Sequence, residues 1–148
     1  MVKIGGEGIR VQFDEAAICN GELIPNPSST LDNKLNVQWL VGSVEKVNCR
    51  NFVLKLVSNR KVSTILDMFF EHVVPGSIIV NDGYPSYPGA VAKFGSFHEV
   101  VNHTVGFVNA QGAHTNQIGS LWSHLKHAYR KRGGINKGRM NFFLNEWK

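Results

Sequence analysis

Hydrophobic and polar residues alternate through Ile9-Arg10-Val11-Gln12-Phe13-Asp14, the period-2 pattern of a half-buried strand. Val37 to Val44, with Trp39, and Arg50 to Val57 predict two more strands joined by a short polar turn around Val47-Asn48-Cys49. With the first strand they form an antiparallel meander. Between the first two strands, Asn20 to Asn36 holds Pro25, Pro27, Ser28, Ser29 and Thr30 without periodicity and reads as a surface loop. Val62, Ile65, Leu66, Phe69, Phe70 and Val73 then recur at helical spacing, and Pro75-Gly76 stops that amphipathic helix. A β-branched strand, Ser77 to Asp82, ends at Gly83. A short helix around Ala90 to Phe94 and a strand at Phe97 to Val101 follow. The chain closes with a helix from His114 to Arg132, carrying Ile118, Leu121, Trp122, Leu125 and Tyr129 on one stripe, and another from Met140 to Trp147. Gly133 to Gly138 separates them.

Strands first and helical crossovers later predict an α/β fold: a mixed five-stranded sheet, three antiparallel strands and then parallel additions, flanked by helices. This is the ribonuclease H-like topology. In it the first and fourth predicted strands are neighbours, which brings Asp14 and Asp82 together, each at the end of its strand.

Two carboxylates from neighbouring strand ends can share a divalent cation, because hard ions such as Mg²⁺ take oxygen ligands. Asp at a strand end equally serves as a turn former or a helix cap. Glu15 follows Asp14 directly and, in a regular strand, faces the other way, which makes it a poor second ligand. Gly5-Gly6-Glu7-Gly8 precedes a strand and so lacks the strand-to-helix setting of a nucleotide cradle; it reads as a flexible lead-in.

At 148 residues and 43% hydrophobic content the chain is one domain long and outside the disordered class. It has neither an apolar run long enough to span a membrane nor an N-terminal signal core, and Cys19 and Cys49 lack metal-site spacing. These features predict an intracellular protein. Net charge is +5, and the excess lies from Lys126 onward, where Arg130, Lys131, Arg132, Lys137, Arg139 and Lys148 face the single acid Glu146. A basic segment of this kind suits a polyanion such as DNA; it also suits a helix C-terminus, whose dipole favours cations.

Six blocks in order carry a resemblance: Val11 to Glu15, Gln38-Trp39-Leu40-Val41-Gly42, Arg60 to Thr64, Pro75 to Tyr84, Val101 to Val108, and Gly112 to Lys126. Together they resemble the Merlin-type DDE transposases and their bacterial insertion-sequence relatives, over nearly the whole chain. The resemblance implies a ribonuclease H-like catalytic domain that cuts and joins DNA ends with two Mg²⁺ (or Mn²⁺) ions, commonly as a multimer on paired ends. It implies Asp14 and Asp82 as metal ligands and Lys126 as the lysine that accompanies the third acid. That third acid should follow Ile118 in a His-Thr-Asn-x-Ile-Glu pattern. Here the position is Gly119.

Glycine offers no ligand atom and weakens a mid-helix position by about 1 kcal/mol relative to alanine. Asn116 and His114 are candidate substitutes, one a neutral oxygen and the other a nitrogen, and neither restores the charge. The segment Gly21 to Asn36 carries one lysine against two acids, where relatives have a basic hairpin. The domain starts at Met1, which leaves no room for an N-terminal DNA-reading segment. These departures keep a second reading open, a non-catalytic DNA-binding or interaction module descended from a transposase. His103 reads as scaffold or catalyst, Tyr84 and Tyr87 as core or base-stacking residues, and Trp122 as core.

Overall fold

Apolar content does not stop at Asp14 but continues through Ala16, Ala17 and Ile18, and strand β1 accordingly spans Arg10–Cys19. Asp14 therefore lies inside a strand and not at its end as the alternation suggested. The computed structural model describes residues 3–19, 22–25, 27, 31–32, 37–46, 48, 51–100 and 116–131. After β1 come β2 (Glu22–Pro25), β3 (Gln38–Glu45), β4 (Phe52–Val57), helix α1 (Val62–His72), β5 (Ile78–Asn81), α2 (Ser86–Phe94), β6 (Phe97–Val100) and α3 (Asn116–Lys131). The expected Met140 to Trp147 helix lies outside the described residues.

The sheet runs β4-β3-β1-β5-β6, with β2 attached to β1. β3 and β4 pair antiparallel in the meander, whereas β5 and β6 add in parallel. This mixed sheet with helices on both faces is a ribonuclease H-like α/β fold. The five-strand path matches expectation, and β2 corrects the loop reading of residues 20–36. Leu23 explains the difference: it buries beside Ile18, across the ladder from it, a gain that turn propensity does not register.

Side-chain alternation divides the core into two layers. Val11, Phe13, Val41 and Ile79 face α1 and α2, where they meet Ile65, Met68, Phe69, Tyr87 and Val91. Phe13 and Phe69 pack edge to face at 5.0 Å, and burying either ring fully is worth about 2–3 kcal/mol. Ala16, Ile18, Leu40, Val44 and Leu54 face α3, which presents Ile118, Trp122 and Leu125. These three recur at i, i+4 and i+7, the stripe read from sequence.

The glycine-rich lead-in is fixed in place. Ile4 is buried and bridges Val73, Gly5 N–H donates to Glu45 Oε2 at 3.2 Å, and Gly6 N–H donates to Ser77 Oγ at 3.0 Å. Gly5 has φ +92°, and a Cβ there would stand 2.3 Å from Ser77 Oγ, so glycine marks a close approach and not flexibility.

Candidate active site

One edge of β1 pairs with β3 from Val11 to Ile18. Its other edge is divided between β5, which pairs at Arg10, Val11 and Gln12, and β2, which pairs from Ala16 to Cys19. Phe13, Asp14 and Glu15 occupy the interval, where neither strand runs alongside. The parallel register sets Val80 across from Gln12, so its continuation past the end of β5 sets Asp82 across from Asp14. Gly83, at φ +97°, then turns the chain away in a backbone region that side chains avoid. A cleft of about 300 Å³ opens there, lined by Asp14, Glu15, Asp82 and Gly83 together with Pro27, Arg60 and Tyr84.

Asp14 points to the α3 side and is buried. Its Oδ1 accepts the Glu15 amide N–H at 2.9 Å and its Oδ2 accepts the Trp122 indole N–H at 3.0 Å. Burial, and then the negative charge of Asp82, push its carboxyl up to about 7; the Trp122 and Glu15 donors and Arg60 pull it back only in part. Glu15 takes the opposite face, as alternation requires. Its Oε2 accepts the Tyr87 hydroxyl at 2.8 Å, and its Oε1 lies 3.6 Å from Arg60. Burial and the neighbouring Asp14 push the Glu15 carboxyl up to about 8.

Arg60 forms the cationic wall of the cleft although it is only 5% exposed. It grips Asp32 through two bonds, Nε at 3.0 Å and Nη2 at 2.8 Å, with Trp39 on one ring contact at 4.2 Å and Tyr84 on another at 3.9 Å. The Tyr84 hydroxyl donates to Asp32 at 3.1 Å. Tyr87 is fully buried and belongs to the core, whereas Tyr84 serves as a platform for Arg60.

On α3, Gly119, Trp122 and Lys126 fall at i, i+3 and i+7 along one flank, and Trp122 is the member that touches Asp14. Gly119 is exposed and has open space around its Cβ position. The side chains of Asn116, Arg130 and Lys131 lie outside the described set, as do residues His103, His114, Arg132, Lys137 and Arg139.

A profile of the ISXO2-like transposase domain matches residues 10–148. The chain belongs to that family. One solved structure, described as the simian T-cell lymphotropic virus intasome in complex with PP2A regulatory subunit B56 gamma, is similar at 12% identity and a TM-score of 0.39. That similarity covers 72% of this chain and 40% of the other. No curated protein matches.

The family's divalent cation fits the donor set in part. Asp14 and Asp82 supply hard oxygens, and a cation would relieve the repulsion that Asp82 exerts on the buried Asp14 carboxyl. Among the described residues no group of three or more His, Cys, Asp or Glu side chains could hold a metal ion. No described helix is long and apolar enough to cross a membrane.

Sequence reasoning missed Arg60, Asp32 and the donor role of Trp122. Arg60 carried a signal, a cation immediately before an amphipathic helix within a family block. Trp122 carried another, since it lies three residues after Gly119 on the same flank.

Proposed function

We propose that this chain is the DNA-processing domain of a transposase, in which Asp14 and Asp82 hold a divalent cation, Mg²⁺ or Mn²⁺, against a scissile phosphodiester. The observation that carries the reading is the meeting of these two carboxylates in the interval along β1, in a chain of the transposase family. When bound, the cation supplies charge neutralisation at the reacting phosphate.

The chain's own residues do the rest. The Glu15 amide and the Trp122 indole hold the Asp14 carboxylate in one orientation, and Lys126 brings positive charge along the same flank of α3 toward the phosphate. Arg130, Lys131, Arg132, Lys137 and Arg139 bind backbone phosphates and make affinity fall with salt. Two copies act on paired DNA ends, in the nucleus or the bacterial cytoplasm. Residues 1–148 form one such domain. Gly119 leaves the second cation short of a carboxylate, so cleavage and strand transfer are impaired.

Gly119 also favours a second reading, a transposase-derived module that binds DNA without cutting it. Mn²⁺- and Mg²⁺-dependent nicking of labelled DNA separates the two, run on the native chain, Gly119→Glu and Asp82→Asn. Nicking by the native chain above the Asp82→Asn background supports the enzyme. Gain of activity only in Gly119→Glu supports the binding module. No nicking by either, with no salt-dependent DNA binding, overturns both.

A further inference from the structure

Trp122 is 2% exposed and lies on the α3 stripe that packs against the sheet, a position that apolar packing alone would satisfy with leucine or phenylalanine. The indole is placed for more than packing. Its N–H donates to Asp14 Oδ2 at 3.0 Å within the buried layer, across 108 residues of sequence. One turn earlier on the helix, the Ile118 amide N–H meets Gln12 Oε1 at 3.3 Å, on the same face of β1 as Asp14. Both polar contacts run from α3 to β1, one ending on Gln12 and the other on Asp14, the first acid of the cleft.

A buried carboxylate needs such partners. Oδ1 is satisfied by the Glu15 amide of its own strand, so the orientation of the Oδ2 edge depends on the indole. Among the described residues each oxygen has one donor, an arrangement that leaves lone pairs for a cation while preventing rotation about χ2. Groups that orient a ligand in this way typically change metal affinity by about 10–100-fold when removed.

We infer that Trp122 is a positioning residue for the cation site: its indole N–H sets the orientation of Asp14 and thereby ties cation affinity to the docking of α3. The inference rests on the proposed role of Asp14 and Asp82 as cation ligands. It assigns to the helix that carries Gly119 a second contribution to the site, independent of any acid at position 119.

The test is Mn²⁺ titration of the full chain by calorimetry and electron paramagnetic resonance, with no DNA present. Trp122→Phe removes the N–H and part of the ring. Replacement of Trp122 by β-(3-benzothienyl)alanine keeps the bicyclic shape and removes the N–H alone. Near-ultraviolet circular dichroism and thermal melting report packing, and Asp14→Asn gives the background. The expected result is Mn²⁺ affinity at least tenfold weaker in the benzothienyl variant, with melting close to native. Native affinity in the benzothienyl variant overturns the inference while leaving the cation site intact. Absence of Mn²⁺ binding above the Asp14→Asn background in the native chain removes the cation site itself, and the positioning role with it.

Discussion

Gly42 stands directly across the β1–β3 ladder from Asp14, and a Cβ on it would come within 2.7 Å of Trp122 Cη2 and 3.1 Å of Ile118 Cδ1. The ring of Trp122 thus lies over a position where the sheet has no side chain, and that absence lets the indole reach Asp14. Gly42→Ala should cost about 1–3 kcal/mol by overpacking. Urea unfolding measures the loss, and an unchanged midpoint would mean that α3 shifts without penalty.

Gly119 presents the opposite case. It is exposed, and a Cβ there meets nothing within 4 Å. Gly119→Ala should stabilise the protein by about 0.5–1 kcal/mol through lower backbone entropy in the unfolded chain and better helix propensity. Gly119→Glu should also fold, because the position is exposed and nothing lies within 4 Å of a Cβ there, but it should gain less than alanine where its charge adds to that of Asp14 and Asp82. Thermal melting of the two variants beside the native chain checks both expectations.

Arg60 is paired with both Asp32 and Glu15, and it is held between Trp39 and Tyr84. Arg60→Met should destabilise by about 1.5–3 kcal/mol, because it removes the charge-assisted two-pronged contact to half-buried Asp32. Arg60→Lys should recover only part of that, since an ammonium keeps the charge but neither the two-pronged contact nor the stacking. Chemical denaturation of the pair measures the difference, and full recovery by lysine would reduce the role of Arg60 to charge alone.

Stability without divalent cations should fall as pH rises from about 4 to 8. Asp14 and Glu15 hold their protons up to about 7 and about 8 in the fold, against 3.8 and 4.5 as ordinary carboxylates. Across that window the folded chain binds more protons than the unfolded one, so the stabilisation present at low pH is lost on ionisation. Urea midpoints in EDTA at pH 5.5, 7.0 and 8.5 test the slope. Asp14→Asn should flatten it, and added Mg²⁺ should restore stability at the upper end. A midpoint that rises with pH would contradict the shifted carboxyls.

Strand and helix periodicity made most of the architecture legible, because burial on one face writes itself into spacing. β1 to β5 adjacency followed from element order, and it is what brings Asp14 and Asp82 to one cleft. β2 was not legible: four residues that follow Gly21 and end in Pro25, with Pro27 two positions on, carry turn chemistry, and their strand character comes from pairing with the end of β1. The Arg60 wall was equally hidden, since Asp32 precedes it by 28 residues and only the fold closes that distance. Tyr87 and Glu15 are separated by 72 residues and met for the same reason. Spacing did distinguish Asp14 from Glu15, because opposite faces follow from strand geometry alone.

The bond between Asp14 and Trp122 also orders events in time. A ribosome delivers Asp14 early and its indole partner 108 residues later, so a nascent chain can pair β1 with β3 well before α3 emerges. Until then the carboxylate lacks its second donor. Completion of the cleft is therefore a late step of biosynthesis, and a chain interrupted before Trp122 carries both acids without the contact that aligns the first.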